Sequence, residues 1–145
     1  MIRQQLAPVL FMLGALSVAA CAVGAERTPA PEGAAVYFIA PEAGAKLKSP
    51  VTVRFGLRGM GVAPAGIQLA DTGHHHLLID LDALPAMDQP IPADARHVHF
   101  GKGQTETTLD LPPGKHSLQL LLGDHLHRPH EPPVLSERIE IEVLP

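Results

Sequence analysis

The chain has 145 residues, a formal net charge of −4 and a single cysteine. This length corresponds to one domain, and the lone cysteine excludes an internal disulfide. Lysine and arginine form no cluster, which argues against nucleic acid and anionic membrane surfaces as partners. The unusual feature is the presence of nine histidines, all of which fall between His74 and His130.

Residues 1–25 are predicted to be an export signal. Residues 6–23 are nearly all apolar and small, and Ala25 ends a small-residue pattern that suits signal peptidase. A second interpretation treats residues 18–21 as a lipobox, with Cys21 lipidated after cleavage. The two interpretations predict a soluble periplasmic protein or an outer-membrane lipoprotein, respectively. Both limit membrane contact to the signal or to the lipid on Cys21.

The rest of the chain divides into a short linker and one domain. Residues 26–34 are rich in Pro, Ala and Gly and are predicted to be a flexible tether. Residues 35–145 alternate apolar and polar positions in short runs, which is typical of β-strands. The predicted strands are 36–39, 51–58, 74–82, 97–100, 105–111, 116–122 and 136–144. About seven short strands joined by turns favour an all-β immunoglobulin-like antiparallel β-sandwich, with a small β-barrel as the alternative.

Three His-x-His motifs, at residues 74–76, 97–99 and 125–127, provide the main chemical pattern. Residues two apart on a strand point the same way, so the outer imidazoles of each motif can converge on one ion. Imidazole suits Zn(II), Cu(II) and Ni(II), and two further donors flank the third motif. The predicted metal ligands are His74, His76, His97, His99, His125, His127, His130 and Asp124.

Other roles for these side chains are also open. His75 and His116 share a face with apolar neighbours and are expected to be structural histidines. For the ligand candidates the alternative is simple exposure, either on the polar face of a strand or in a polar loop. Asp80 and Asp82 follow His76 on its face. They are candidates for carboxylates that orient imidazoles, but solvated charges are the preferred interpretation.

Five segments of the chain resemble one bacterial family. The segments are VYFIAP at 36–41, SPVTVRFGL at 49–57, TGHHHLLID at 72–80, HVHFGKGQT at 97–105, and LLLGDH at 120–125 followed by Pro129 and His130. Over nearly all of residues 35–143 the chain resembles the exported domain of unknown function 4399. The resemblance implies a periplasmic or outer-membrane-facing β domain. It brings no established activity and no assigned site residues.

Three functions are compatible with these patterns. The first is an exported histidine-rich protein that binds a divalent transition metal, copper or zinc. The second is a non-catalytic interaction or structural module of the cell envelope, whose partner is an unknown envelope protein. Its histidines form a hydrogen-bonded network or a pH-sensitive face. The third is a histidine–metal enzyme with an open water position. We place the enzyme below simple binding because the sequence shows no recognisable general base, and we assign no catalytic residues.

Overall fold

The structure is a computed structural model that describes residues 26–145, so the predicted export signal and Cys21 lie outside the described residues. In this part of the chain there are nine strands: β1 (Ala35–Ala40), β2 (Lys46–Lys48), β3 (Val51–Arg58), β4 (Gly61–Val62), β5 (Thr72–Ile79), β6 (His97–His99), β7 (Glu106–Leu109), β8 (Gly114–Gly123) and β9 (Ile139–Leu144). None of the described residues form a helix of the length and apolarity that would span a membrane.

The strands form two sheets that face each other as a sandwich, which confirms the predicted fold class. The smaller sheet has the order β1-β3-β7, and the larger has the order β2-β9-β8-β5-β4 with β6 paired to β5. Most pairs are antiparallel, but the pairs at the two ends of the larger sheet, β2–β9 and β4–β5, are parallel. The sequence did not predict β2 and β4, because strands of three and two residues are too short to show alternation.

The main core lies between the sheets and is built from the alternating apolar residues that the sequence predicted. Residues of the larger sheet such as Leu77, Leu118 and Leu120 are fully buried, and they pack with Val53 and Phe55 of β3. Burying one such side chain contributes about 1.5–3 kcal/mol to folding. This core therefore holds β5 and β8 in a defined register.

The outer face of β5, whose residues the sequence indicated to be mainly polar, is also buried, and this excludes the alternative of simple exposure for His74 and His76. There Leu78 packs with Ile91 and Leu121 in a second, smaller apolar cluster. His74 and His76 share this face and are 0% exposed. They are buried because the segment before β6, through Ile91, and the loop after β8, through His127, lie against this face.

Candidate metal site

Two adjacent strands place three imidazoles on one face. His74 and His76 are two residues apart on β5 and point to the outer side of the larger sheet. β6 runs antiparallel to β5, and His99 is the direct Cα partner of His76. Directly opposed residues of paired strands lie on the same side of a sheet. The side chains of His74, His76 and His99 therefore meet.

A fourth imidazole comes from the loop that follows β8. His127 has a positive φ of 66°, a conformation in which histidine is tolerated more often than most residues. Its backbone is held on both sides: His127 N donates to Asp124 O at 2.9 Å, and Ile91 N donates to His127 O at 2.7 Å. This turn brings the His127 ring against those of His74 and His99.

The four rings form a compact cluster, which we call the imidazole cluster: His74, His76, His99 and His127. Five of its six ring pairs have centroids 4.8–5.0 Å apart, and the His76–His127 pair is at 6.3 Å. His74, His99 and His127 each present a nitrogen within 4.8 Å of the others, so they could hold a metal ion together. His76 lies beside this group of three as the fourth ring.

Two glycines make room for the rings. A Cβ on Gly101 would lie 2.6 Å from Nε2 of His99 and even closer to Cε1 of that ring. A Cβ on Gly123, which is the Cα partner of His74, would lie 2.7 Å from Cε1 of His76 and 3.1 Å from Nδ1. The imidazoles thus occupy space that any residue other than glycine would fill.

Five of the eight ring nitrogens of the cluster are buried without partners. Nδ1 and Nε2 of His74 and His76, and Nε2 of His99, have no hydrogen-bond partner among the described residues. A buried polar atom left unsatisfied costs about 1–3 kcal/mol. Such a concentration of unsatisfied donors and acceptors is what a ligand site would produce.

The environment favours the neutral form of His74, His76 and His99. Burial, helped by repulsion from His127 and His99, lowers the pKa of His74 to about 4. Burial and the neighbouring His74 and His99 lower the pKa of His76 to about 3, and burial likewise lowers the pKa of His99. Neutral imidazole is the form that binds a metal, so at neutral pH these rings are in the ligand state.

Three predicted histidine ligands lie outside the imidazole cluster. The Nδ1 atom of His97 is 2.9 Å from the carboxylate of Asp94. His125 is half-buried and lines a surface groove with Ile67 and Leu69. His130 is fully buried, with Nε2 3.3 Å from the carbonyl oxygen of Thr72 and Nδ1 without a partner.

Asp124, the predicted carboxylate ligand, organises the loop instead of facing an ion. Its Oδ1 accepts hydrogen bonds from the backbone N–H groups of Leu126 and Arg128, and its Oδ2 accepts one from Thr28 Oγ1 at 2.6 Å. Burial works to raise the pKa of Asp124, but the hydrogen bonds from Thr28, Arg128 and Leu126 outweigh it and the pKa is lowered. The carboxylate therefore positions the turn that carries His127.

The histidines expected to be structural are buried away from the cluster. His75 points into the sandwich core, where its ring centroid is 5.1 Å from that of Phe55. His116 is bonded through Nδ1 to Asp80 at 2.7 Å and through Nε2 to the carbonyl oxygen of Pro112 at 2.8 Å. Asp80 also accepts a hydrogen bond from Ser117 N, so it is a structural partner and the interpretation of it as a solvated charge was wrong.

Sequence reasoning missed Gly101 and Gly123 as parts of the site. Each glycine lies within four residues of a His-x-His motif, and that proximity is the only indication that the sequence offers. The close approach of Gly123 to His76 depends on the pairing of β5 with β8, which brings together residues 47 positions apart.

Comparison with known proteins places this geometry in a family. Residues 53–144, more than half of the chain, match the family described as Domain of unknown function (DUF4399). The chain belongs to this family. The DUF4399 match contains the whole imidazole cluster and both glycines, whereas β1, β2 and residues 27–30 precede it. Comparisons with curated proteins and with solved structures each gave no match.

Proposed function

We propose that this DUF4399 protein is an exported metal-binding protein that holds Zn(II) or copper in the imidazole cluster. His74, His99 and His127 are the ligands, and His76 supplies a fourth imidazole. The observation that carries the proposal is the convergence of four rings, three of which (those of His74, His76 and His99) have buried nitrogens without a partner among the described residues. A coordinated metal would satisfy one nitrogen of each ring.

The spacing of the rings favours a tetrahedral over a square-planar metal. With metal–nitrogen bonds of about 2.1 Å and ring centres about 1.1 Å farther out, tetrahedral imidazoles have centroids about 5.2 Å apart in every pair. A square-planar metal instead has two diagonal pairs at about 6.4 Å. Five pairs at 4.8–5.0 Å and one at 6.3 Å lie closer to the tetrahedron. This supports Zn(II) or Cu(I) over Ni(II) and tetragonal Cu(II).

The enclosure of the cluster supports binding over catalysis. His74 and His76 are 0% exposed, and His99 and His127 are half-buried. Since catalytic zinc keeps one position open for water or substrate, four enclosing imidazoles are better suited to holding an ion. A periplasmic scavenger, chaperone or buffer is the corresponding role, and the predicted export signal supports that location.

The decisive experiment uses two His-x-His motifs in which the second histidine belongs to the imidazole cluster and the first does not. The test variant is His99→Ala/His127→Ala, which removes two cluster ligands. The matched control is His97→Ala/His125→Ala, which removes the histidine two positions earlier in each of the same motifs. Zn(II) and copper binding are measured by calorimetry, with Cu(I) supplied in competition with a Cu(I) chelator.

We expect one equivalent of metal to bind to the wild-type chain and to the control. The test variant should lose at least about a hundredfold in affinity, because ligand loss exceeds the 10–100-fold that loss of an outer-shell partner costs. Absence of metal binding with a fixed stoichiometry in the wild-type chain would contradict the proposal. A metal-free envelope module would then be the better hypothesis. Equal losses in the test and control variants would contradict the assigned ligand set.

A further inference from the structure

The loop that carries His127 is bound by a segment from the other end of the domain. We call residues 27–30 the strap. Thr28 O accepts a hydrogen bond from Glu131 N, and Ala30 N donates to Glu131 O, both at 2.9 Å, in a short parallel bridge around Pro29. The strap belongs to the stretch predicted to be a flexible tether, yet it pairs with the loop like an added strand.

Side chains of the strap reinforce this pairing. The Arg27 guanidinium donates to the carbonyl oxygens of Pro129 and His130 and forms an ion pair with Glu131. Its side chain is only 18% exposed. Thr28 Oγ1 donates to Asp124, whose other oxygen holds the backbone of the turn around His127. The strap thus contacts the loop on both sides of His127, through hydrogen bonds to Asp124 and to residues 129–131.

The strap and the metal would order the same loop from opposite sides. His127 reaches the cluster from a turn in a positive-φ conformation, and a free loop would leave this conformation readily. Metal ligation by His127 would restrain the turn from within, and the strap restrains it from outside. Two events that order one segment favour each other, and the coupling is reciprocal by thermodynamic necessity.

We infer that the strap is a latch for the metal site, so that its docking slows metal release and bound metal strengthens its docking. This inference rests on the proposed function. Removal of the strap contacts should accelerate metal dissociation about tenfold, within the 5–150-fold range typical of coupled sites. The bound metal should in turn protect the backbone amides at the strap–loop bridge.

The test uses Arg27→Gln/Thr28→Val in the full chain. The first substitution replaces the guanidinium with a shorter, uncharged amide, and the second removes the hydroxyl with little change in volume. The matched control is Arg54→Gln/Thr52→Val on β3, which likewise removes an ion pair to a glutamate and an exposed hydroxyl, but on the other sheet. Zn(II) release is measured by stopped flow into a chromogenic chelator. Should the double variant be poorly folded, Thr28→Val alone serves as the test.

Hydrogen exchange provides the reciprocal measurement. Zn(II) should slow exchange at Ala30 N and Glu131 N in the wild-type chain, and the effect should vanish in the strap variant. The amide of Phe55, bonded to Thr105 O on the smaller sheet, is the internal reference and should not respond.

The outcomes separate the latch from the metal site. Faster release in the strap variant, with an unchanged control, supports the latch. Wild-type binding with equal release rates in all variants overturns the latch and leaves the proposed function intact. Failure of the wild-type chain to bind Zn(II) or copper overturns the proposed function and the latch with it.

Discussion

Gly101 lies directly against the ring of His99, so that a Cβ at position 101 would come within 2.6 Å of Nε2. We predict that Gly101→Ala weakens Zn(II) binding by about tenfold or more, because the added methyl displaces the imidazole from the cluster. Gly101 does not have a positive φ, so backbone strain does not contribute. Calorimetry on the purified variant measures the change in affinity.

Gly61→Ala is the control for this substitution. A Cβ at position 61 would approach only Cγ2 of Thr72, at an ordinary contact distance of 3.4 Å. Its affinity for Zn(II) should equal that of the wild-type chain. Unchanged binding in Gly101→Ala would show that His99 need not occupy its position in the structure.

His127 allows the backbone role of a residue to be separated from its ligand role. Asparagine accepts positive φ, whereas valine does not. We predict that His127→Asn abolishes metal binding but leaves the free energy of unfolding of the metal-free protein within about 0.5 kcal/mol of wild type. His127→Val should lose metal binding and also about 1–2 kcal/mol of stability. Urea denaturation and metal titration of both variants check this, and equal stabilities would argue against a strained turn.

The three consecutive histidines at residues 74–76 allow the cost in folding stability to be compared with the contribution to metal binding. Both ring nitrogens of His75 and of His76 are buried without hydrogen-bond partners among the described residues. Replacing either by leucine removes this penalty, and we expect the metal-free free energy of unfolding to rise by about 1–2 kcal/mol. Only His76→Leu should weaken metal binding, because His75 faces the sandwich core.

Urea denaturation and metal titration of the two variants, each against wild type, distinguish the two effects. A loss of stability in both would mean that ordered water or repacking satisfies these nitrogens. A loss of metal affinity in His75→Leu equal to that in His76→Leu would contradict the assignment of opposite faces.

We predict that the contribution of His116 to the free energy of unfolding declines as pH rises above neutral. Burial works to lower its pKa, but the hydrogen bonds to Asp80 and to the carbonyl oxygen of Pro112 outweigh burial and the pKa is raised. The folded state therefore holds this proton more tightly than the unfolded state. Its contribution to stability is complete below the unfolded pKa of about 6.5 and is lost as pH rises through the folded value.

The histidines whose pKa is lowered, such as His74 and His76, change stability in the opposite direction near pH 6, so the effect of His116 is measured as a difference. Unfolding free energies of the wild-type chain and of His116→Gln, which cannot titrate at this position, are compared at pH 6, 7 and 8. The stability advantage of the wild-type chain over the variant should decline as pH rises, and an advantage that does not change with pH would contradict the raised pKa of His116. Metal should be absent from all samples, so that ligand binding does not contribute.

Alternation of apolar residues was sufficient to predict the sandwich, since the strands around Val53, Leu77 and Leu118 were placed correctly. The His-x-His pattern drew attention to the residues of the cluster, because His74, His76, His99 and His127 were all among the predicted ligands. It could not separate His99 from His97, or His127 from His125. Those choices depend on what packs across the outer face of β5, and that is a property of the tertiary fold.

The strap was beyond the reach of sequence reasoning for the same reason. A run of Pro, Ala and Gly has the composition of a linker. Arg27 and Thr28 are held by residues about a hundred positions later, among them Glu131 and Asp124. Composition describes local tendencies, whereas this contact is long-range.

The consecutive histidines of β5 point to opposite faces of the sheet. His75 packs in the sandwich core, and its neighbours His74 and His76 belong to the imidazole cluster. Side chains alternate strictly along a strand, so a shift of one residue would exchange the two faces. Such a slip would drive two unpaired imidazoles among the core leucines and leave one in the cluster. The register of β5 is thus required both for the hydrophobic core and for metal binding. A deletion or insertion within this strand should abolish both together.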